Sequence, residues 1–296
     1  MNTAGVLDEF VEALETRLEA ILPTTSEHSQ VLVDGMRYAV LNGGKRLRGS
    51  LVCATTYTLS GSYEKALDSA CALECLHAYS LVHDDLPVMD DADLRRGKPS
   101  CHKKFGPAMA TLIGDALQPL AFNLIVECYD VSNEKRVAIS RSLSRAAGWQ
   151  GMVGGQAWDI QLTADTNLEI EQLRRLHAAK TGEFFVAAVE IGRIIGEIDE
   201  DEMTTAALRR FAVHLGEAFQ VVDDVLDCSQ STEVLGKPDG QDKRLEKNTF
   251  PVLLGLNGAT EYAHDLLNKA LQELRKIGID ESPLGEVAKR CVDRIS

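Results

Sequence analysis

Five aspartates are crowded into ten residues that directly follow an apolar segment: Asp84, Asp85, Asp90, Asp91 and Asp93. A helix C-terminus already carries partial negative charge, so carboxylates gathered there repel one another unless a cation compensates them. Their all-oxygen donor set suits Mg²⁺, which commonly takes one or two carboxylates and completes its octahedron with phosphate and water. The residue types and their spacing therefore predict a magnesium site that also receives a phosphate ligand.

A second acidic group, made of Asp223, Asp224 and Asp227, interrupts an apolar segment far along the chain. Asp223 and Asp227 are four residues apart and share one helix face, with Gln220 one turn earlier. Like charges at this spacing are mildly destabilising in an isolated helix, and a shared divalent cation would reverse that effect. A solvated acidic face is the alternative for either group alone. The valines around this group, and the presence of two such groups, favour metal binding.

Basic residues that could bind an anion lie in the loop of the first acidic group and in an earlier segment of the sequence. Arg95 and Arg96 follow the first group, and the guanidinium fork matches the oxygens of a phosphate. Two glycines at 43–44 precede Lys45 and Arg48 at a helix start, where backbone N–H groups are open to an anion. This is not a Walker A loop, and alone it would be a basic helix end at the surface. Acids for a metal and arginines for phosphate together predict a metal-bound phosphate ligand.

Further polar residues interrupt the apolar segments at five positions: His77, Lys180, Thr181, Lys237 and Lys247. His77 lies two turns before the first acidic group on the same helix face. A lone buried histidine is more often structural, and each lysine alone is more often a solvated side chain. His77, unlike the lysines, points along the helix face that carries the aspartates.

The elements that hold these residues are predicted to be helices, because apolar residues recur at steps of three and four along most of the chain. Predicted helices cover residues 7–22, 30–41, 46–60, 65–86, 107–130, 135–149, 169–196, 203–228, 249–256 and 260–277. No segment shows the alternation of a strand. Clusters of glycine, proline and charge mark the breaks at 43–44, 86–106, 151–155 and 229–248. We predict a single all-α domain over residues 1–296, with about ten helices and the unusual residues in its loops.

The composition argues against two broad classes of function. The chain has 296 residues, and 31 Lys and Arg against 45 Asp and Glu give a net charge of −14. So acidic a chain argues against a general nucleic-acid binder and against a protein held by anionic lipid. No apolar run approaches the roughly 20 residues that cross a bilayer, and the N-terminus does not resemble a signal peptide. The seven cysteines form no Cys-x-x-Cys pair. We expect a cytoplasmic protein with reduced thiols and without membrane insertion.

Taken in order, these motifs resemble those of the short-chain trans-isoprenyl diphosphate synthases, from about residue 30 to about residue 256. The landmarks are Gly-Gly-Lys-x-x-Arg at 43–48, the first aspartate motif at 84–90, Arg95-Arg96, Gly-Gly-Gln at 154–156, Lys180-Thr181, the second aspartate motif at 223–227, Gly236-Lys237 and residues 247–251. The resemblance implies a helical bundle around a deep central cavity, a homodimer, and dependence on Mg²⁺, with three ions when substrate is bound. It implies head-to-tail condensation of isopentenyl diphosphate with dimethylallyl or geranyl diphosphate, which gives farnesyl diphosphate and releases diphosphate.

The resemblance also assigns a role to each matching residue of this chain. Metal binding falls to six aspartates, the last two in an outer shell: Asp84, Asp85, Asp90, Asp223, Asp224 and Asp227. The allylic diphosphate would be held by Arg95, Lys180, Lys237 and Lys247. Isopentenyl diphosphate would be held by Lys45, Arg48, His77 and Arg96. The developing allylic cation would be faced by Thr181 and Gln220.

Product length is expected to depend on the residues just before the first aspartate motif. Tyr79 and Ser80 lie five and four residues before Asp84, and a bulky aromatic residue at this level resembles the arrangement that limits products to C15 in the family. On an ideal helix Ser80 lies about 40° from Asp84 and Tyr79 about 140° away. Spacing alone therefore does not identify the floor of the cavity. We predict that Tyr79→Ala lengthens the product towards C20.

Other functions share some of these features. A geranylgeranyl diphosphate synthase of the same family is the nearest alternative, and the choice depends on residue 79. A terpene cyclase would typically carry a second metal motif of Asn, Ser and Glu, without the Lys45, Arg48 and His77 set. An inactive regulatory subunit would lack metal or phosphate ligands, and none is missing from the sequence. The His-Asp pair at 83–84 invites a metal phosphohydrolase, but the other histidines show no matching metal spacing.

Overall fold

The computed structural model describes residues 3–162, 169–196, 201–234 and 249–295. The α-helices in these ranges are α1 (Thr3–Ile21), α2 (Gln30–Leu41), α3 (Leu47–Ser60), α4 (Leu67–Asp84), α5 (Cys101–Phe105), α6 (Pro107–Val126), α7 (Asn133–Ala147), α8 (Met152–Leu162), α9 (Ile170–His177), α10 (Glu183–Ile195), α11 (Glu202–Val234), α12 (Phe250–Arg275) and α13 (Pro283–Val292). Shorter helical segments lie at Glu64–Ala66, Ala178–Gly182 and Asp293–Ile295, and the second of them is a π-helix. The predicted all-α class is confirmed.

Two short strands, β1 (Leu94–Arg95) and β2 (Lys98–Pro99), pair antiparallel in the loop after α4. The prediction that the chain has no strand is wrong here. The turn between the strands consists of Arg96 and Gly97, and both have positive φ values, 55° and 75°. Positive φ at both central residues is what a tight two-residue hairpin turn requires. The Arg-Gly pair differs from the Asn-Gly and Asp-Gly signals of such turns, so the pattern of residue types does not reveal it.

The predicted helix boundaries differ from the structure at two informative places. Helix α8 begins at Met152, inside the break predicted at 151–155. Gly155 allows close packing there instead of ending the helix, because a Cβ on it would lie 2.5 Å from the backbone nitrogen of Lys180. Helix α12 continues through the gap predicted after residue 256, and its irregularity lies at Gly255, whose φ is 74°. Glycine therefore marks a close approach in one case and a kink in the other.

The chain divides into two compact units, each described by itself. Unit 1 comprises Met1–Arg141 with Ile191–Glu197, and unit 2 comprises Ser142–Glu190 with Ile198–Ser296. In unit 1, α4 packs against α1, α2, α3 and α6. Nearly every α4 residue from Ser69 to Val82 is buried, which is typical of a helix covered on several sides. The helix loses this cover at its C-terminal end, where the first aspartate motif begins. The predicted single domain stays a prediction.

Helix α6 is long and apolar enough to cross a membrane by length and composition alone, with 20 residues and a mean hydropathy of 1.4. The expectation that no apolar run approaches this length is wrong. Apolar residues at steps of three and four, Ala110, Ile113, Leu117 and Ala121, are fully buried, and α6 packs against α4 and α2. The core helix of a globular unit passes the same test of length and composition. The opposite side of α6 exposes Leu112 and Val126.

In unit 2, the 33-residue helix α11 is the central element. It packs against α12, α13 and the π-helix Ala178–Gly182. Phe211, Leu215, Val221 and Val222 on α11 are fully buried. The second aspartate motif follows these valines in the same helix, so its acids are carried by an element that the core holds in place.

Candidate active site

The first aspartate motif starts at the last residue of α4. Asp85 caps the helix, and its N–H donates to the carbonyl of Leu81 at 3.1 Å. The chain then turns back, so that the N–H of Asp90 donates to the carbonyl of Asp84 at 2.9 Å. Asp84 is half-buried and Asp90 is exposed. The loop thus brings the backbones of these two predicted metal ligands together at the C-terminal end of α4.

Asp85 differs from its neighbours because its carboxylate is only 3% exposed and is bound to Arg95. The Nε atom of Arg95 donates to both carboxylate oxygens at 3.2 Å, and Nη2 donates to one of them. The hydrogen bond to Asp85 raises the pKa of the Arg95 guanidinium above its usual value. A buried carboxylate held this way is costly to separate from its partner. Asp85 therefore fixes the position of Arg95.

The carboxylates of Asp91 and Asp93, the other acids of this cluster, lie near Lys103 and His102 on α5. Lys103 Nζ lies 2.8 Å from Asp93 Oδ1 and 3.6 Å from Asp91 Oδ1. The Nε2 atom of His102 lies 3.4 Å from the same Asp91 oxygen. Lys103 lowers the pKa of Asp93 by its hydrogen bond. These pairs leave Asp84 and Asp90 as the candidate metal ligands of the loop, with Asp85 in a supporting position.

His77 lies among arginines on the inner side of this loop. The Nη1 atom of Arg48 lies 3.3 Å from His77 Nε2. Because arginine only donates, Nε2 must accept and the ring proton belongs on Nδ1. Burial, followed by the charges of Arg48, Arg96 and Arg95, holds the pKa of His77 well below its usual range. His77 is therefore neutral at pH 7, in a pocket of positive charge that suits an anion.

The two glycines before Lys45 accommodate Arg96. The guanidinium of Arg96 donates to the carbonyl of Gly43. A Cβ on Gly44 would lie 2.7 Å from the Cζ atom of Arg96, and the φ of Gly44 is 131°. Glycine is thus required for close approach as well as for backbone conformation. Lys45 is exposed on the same loop.

Arg46 holds this loop in place, and the sequence motifs do not identify it. It is buried, adopts a left-handed backbone with φ 48° and precedes α3. Its Nε atom lies 2.6 Å from Glu15 Oε1, and its Nη1 atom lies 3.6 Å from Glu74 Oε2. Its Nη2 atom also donates to the carbonyl of Val40 at 2.8 Å. The arginine anchors the loop to α1 and α4, and no local spacing in the sequence signals such distant partners.

In unit 2, Asp224 is the buried member of the second aspartate motif. Its Oδ2 accepts the N–H of Phe250 at 3.1 Å, and its Oδ1 accepts from Gln220 Nε2 at 3.1 Å. Burial raises the pKa of Asp224 to about 6. Both oxygens are thus engaged within the protein, in keeping with an outer-shell position. Asp227 is exposed on the same helix.

The predicted Lys180, Thr181 and Gln220 come together beside Asp224. Thr181 Oγ1 donates to Gln220 Oε1 at 3.1 Å, and the amide nitrogen of Gln220 donates to Asp224. Lys180 Nζ lies 2.7 Å from Asp159 Oδ2 on α8. Lys180 and Thr181 belong to the π-helix Ala178–Gly182, and such irregular turns are frequent at functional sites. This arrangement sets a lysine and two side-chain oxygens at fixed positions.

Arg294 is a residue of the site that the sequence analysis misses. Its Nη2 atom lies 3.0 Å from Asp223 Oδ1, and its guanidinium lies 5.4 Å from the ring centre of Phe219. The region after residue 260 shows little recognisable chemistry in sequence, so only packing reveals this contact. An arginine thus occupies one oxygen of a predicted metal ligand.

The remaining predicted residues give less information about the site. Lys237 and Lys247 lie outside the described residues. Tyr79 is 4% exposed and Ser80 is buried on α4, where Ser80 Oγ donates to the carbonyl of His77 at 2.8 Å. The structure therefore places both product-length candidates within unit 1, one turn before the aspartate motif.

The donor set fits magnesium that arrives with a phosphate ligand. In the described ranges, no group of three or more His, Cys, Asp or Glu side chains forms a ready metal cage. Mg²⁺ seldom uses such a cage, since it usually binds one or two carboxylates together with substrate phosphates and water. The exposed Asp90 and half-buried Asp84 and Asp223 are oxygen donors of that kind.

Known proteins match this chain along nearly its full length. The polyprenyl synthetase family model matches residues 29–280. The farnesyl diphosphate synthase of Escherichia coli K12 is 42% identical over 299 residues, with 99% of both chains covered. The chloroplastic geranylgeranyl pyrophosphate synthase of Capsicum annuum is 42% identical over 245 residues, 82% of this chain and 66% of that protein. The crystal structure of geranyltransferase from Helicobacter pylori, complexed with magnesium and isoprenyl diphosphate, matches with a TM-score of 0.85 and 33% identity, covering 100% of this chain and 98% of that chain.

Proposed function

The chain belongs to the polyprenyl synthetase family, and we propose that it condenses isopentenyl diphosphate with dimethylallyl or geranyl diphosphate to give farnesyl diphosphate. The family resemblance drawn from the motifs is confirmed. A farnesyl diphosphate synthase that is 42% identical over nearly the whole chain supports a prenyltransferase with this product.

The observation that carries the proposal is the composition of the loop after α4. It carries half-buried Asp84 and exposed Asp90 together with Arg95, a cation that buried Asp85 holds in place. A diphosphate needs both kinds of group, because metal ions and guanidinium groups each neutralise part of its charge. A loop of acids alone would bind a metal but would repel the substrate.

Isopentenyl diphosphate would bind at the arginine cluster around His77. Arg48 and Arg96 would donate to the phosphate oxygens, with Lys45 at the exposed edge. Neutral His77 keeps a proton on Nδ1 and can donate it in a hydrogen bond. This group of cations supports the assignment that the family resemblance implies for these four residues.

As the family resemblance implies, the allylic diphosphate would be held by Arg95, Lys180, Lys237 and Lys247. Asp159 holds the Lys180 ammonium at 2.7 Å. Thr181 and Gln220 would turn their oxygen dipoles towards the allylic carbon, where positive charge develops. Their mutual hydrogen bond keeps these oxygens fixed.

Asp84, Asp90 and Asp223 would hold Mg²⁺, three ions when substrate is bound, with Asp85, Asp224 and Asp227 in supporting positions. When bound, the metal supplies Lewis-acid stabilisation of the negative charge that grows on the departing diphosphate. The Helicobacter pylori relative was solved with magnesium and isoprenyl diphosphate, which supports this part of the proposal. Asp85 and Asp224 orient Arg95 and Gln220, respectively, beside these ligands.

The bond changes are those of an ionisation followed by an alkene addition. The allylic C–O bond breaks and its electron pair leaves with diphosphate. The double bond of isopentenyl diphosphate then attacks the allylic carbon, and a proton leaves from the adjacent carbon. The released diphosphate is the proposed base, so no Ser-His-Asp arrangement is needed. Apolar walls would exclude water and hold the growing chain, at about 0.8 kcal/mol for each buried CH₂.

The test is incubation with geranyl and isopentenyl diphosphates, with Mg²⁺ and after its removal by a chelator. We expect farnesyl diphosphate only with metal, detected by chromatography after removal of the phosphates. No condensation in the presence of Mg²⁺ would overturn the proposal. Supplying farnesyl diphosphate as the allylic substrate distinguishes a geranylgeranyl diphosphate synthase, which the Capsicum annuum relative keeps as a second candidate.

We also propose a homodimer in the cytoplasm. In unit 1, the exposed apolar residues Leu112 and Val126 on α6 support contact with a second copy, since exposed large apolar side chains often mark an interface. In unit 2, the exposed residues Trp149, Val153 and Ile160 on and before α8 support it separately. The seven cysteines are free, as expected in a reducing compartment. Light scattering after size-exclusion chromatography should give twice the mass of 32.3 kDa, and a monomer would contradict this part.

A further inference from the structure

Three groups of unit 1 form a stack just before the first aspartate motif. The rings of Tyr79 and His83, one turn apart on α4, meet edge to face with centroids 5.7 Å apart. His83 lies in turn against α6, where its Nε2 atom is 3.0 Å from the carbonyl oxygen of Thr111. The carboxylate of Asp115 lies 3.9 Å from the same nitrogen. His83 thus bridges the ring of Tyr79 and the backbone of α6.

Gly114 makes this bridge possible. A Cβ at position 114 would lie 2.1 Å from His83 Nε2 and 2.4 Å from its Cδ2. The imidazole therefore lies directly on the α6 backbone, in space that every other residue type would fill. The carbonyl of Thr111 accepts, so Nε2 carries a proton and the orientation of the ring is fixed.

We propose that His83 is a positioning residue for product length, and that the stop against chain growth is the stack of Tyr79, His83 and Gly114. This deepens the proposed condensation and rests on it. Tyr79 is buried, and a side chain that stops a growing apolar chain must itself be held by its surroundings. His83 supplies that support from α6.

The proposal is tested by product length with geranyl and excess isopentenyl diphosphates. His83→Ala removes the bridge, and we expect the main product to shift from C15 to C20. Gly114→Ala should force the imidazole off α6 and shift the product in the same direction. In a Tyr79→Ala background neither change should lengthen the product further, because the stack is already broken.

Thr111→Val is the matched control on α6. It removes a hydroxyl that bonds to the carbonyl of Pro107 and keeps the backbone carbonyl that His83 uses, so its product should stay C15. A residue that only stabilised the fold would lower yield in the His83 variant without changing product length.

The outcomes separate this inference from the proposed function. If the wild type makes no product, the condensation itself is refuted. If the wild type, His83→Ala and Gly114→Ala all make C15 alone, the stack is refuted and the condensation stands. Loss of all turnover in both variants, with an active wild type, also overturns the inference, because the stack would then serve the metal site. Additive lengthening with Tyr79→Ala would show that His83 acts independently of the tyrosine.

Discussion

The two aspartate motifs share one arrangement and differ in what holds it. In each, the second aspartate is buried and engaged within the protein, while the first is half-buried and the last is exposed. Asp85 binds the side chain of Arg95, whereas Asp224 accepts the backbone N–H of Phe250 and the amide of Gln220. In the first motif the buried aspartate is therefore held by a cation that is itself a proposed substrate ligand. In the second motif it is held by a backbone N–H and a side-chain amide.

This difference suggests how each motif responds to substrate. Arg95 can bind a phosphate while Asp85 holds it, because a guanidinium has five N–H donors and its fork fits both carboxylate and phosphate. A backbone N–H in a buried helix start has no such spare donor. The first motif therefore offers a charged side chain to diphosphate, while the buried aspartate of the second motif is held by groups that carry no charge.

The largest expected effect comes from removing the first aspartate of either motif. Asp84→Ala and Asp223→Ala should each lower kcat by several decades while the circular dichroism spectrum of the helices is unchanged. Metal-assisted stabilisation of the leaving group is then lost in the transition state. Asp93→Ala is the matched control, because this carboxylate pairs with Lys103. Normal turnover in either of the first two variants would contradict the metal assignment.

Asp85→Asn tests the ion pair between Asp85 and Arg95 in the first motif. Arg95 would lose its charged anchor, and we expect kcat/KM for geranyl diphosphate to fall about 100-fold, as displacement of a positioned group commonly does. The affinity for isopentenyl diphosphate should change far less, because Arg48 and His77 are untouched. Equal losses for the two substrates would show that Asp85 supports the whole loop.

The helices and the main site residues are predictable from sequence, because both leave local signals. The apolar period marks α4 and α11, and the spacing of acids marks both motifs. The pair of Arg294 with Asp223 and the anchoring of Arg46 by Glu15 and Glu74 leave no such signal. These partners lie far apart in sequence and meet only because helices pack. The hairpin at β1 and β2 is missed because its turn depends on a positive φ at an arginine.

The burial of Asp224 in the second motif predicts that the stability of the metal-free protein depends on pH. Burial raises the pKa of Asp224 in the folded protein to about 6, against 3.8 for a fully solvated aspartate, so the folded protein binds more protons than the unfolded chain between these values. Its contribution to stability is therefore fully present below about pH 4 and is lost as pH rises through 6. Relative to Asp224→Asn, the free energy of unfolding of the wild type should fall by roughly 3 kcal/mol across this window. Urea titrations in chelator at pH 4, 5, 6 and 7 measure it, and a constant difference would contradict it.

The smallest expected effect concerns Arg294. Because its guanidinium occupies an oxygen of Asp223, Mg²⁺ must compete with it. Arg294→Gln should therefore bind Mg²⁺ with inorganic diphosphate about two- to fivefold more tightly, the size of a partly exposed ion pair. Isothermal titration calorimetry measures this, with Arg290→Gln as the control on α13. Weaker binding would mean that Arg294 contacts the diphosphate instead of competing for the carboxylate.

The central claim is that both motifs act on one transfer, in which loss of diphosphate is coupled to carbon–carbon bond formation. A single-turnover experiment measures both events in one sample. The enzyme is in excess over geranyl diphosphate, and isopentenyl diphosphate and Mg²⁺ are supplied. The account predicts one diphosphate released for each farnesyl diphosphate formed, at the same rate and only with metal. Release of diphosphate without a matching C15 product, or C15 product without metal, would contradict it.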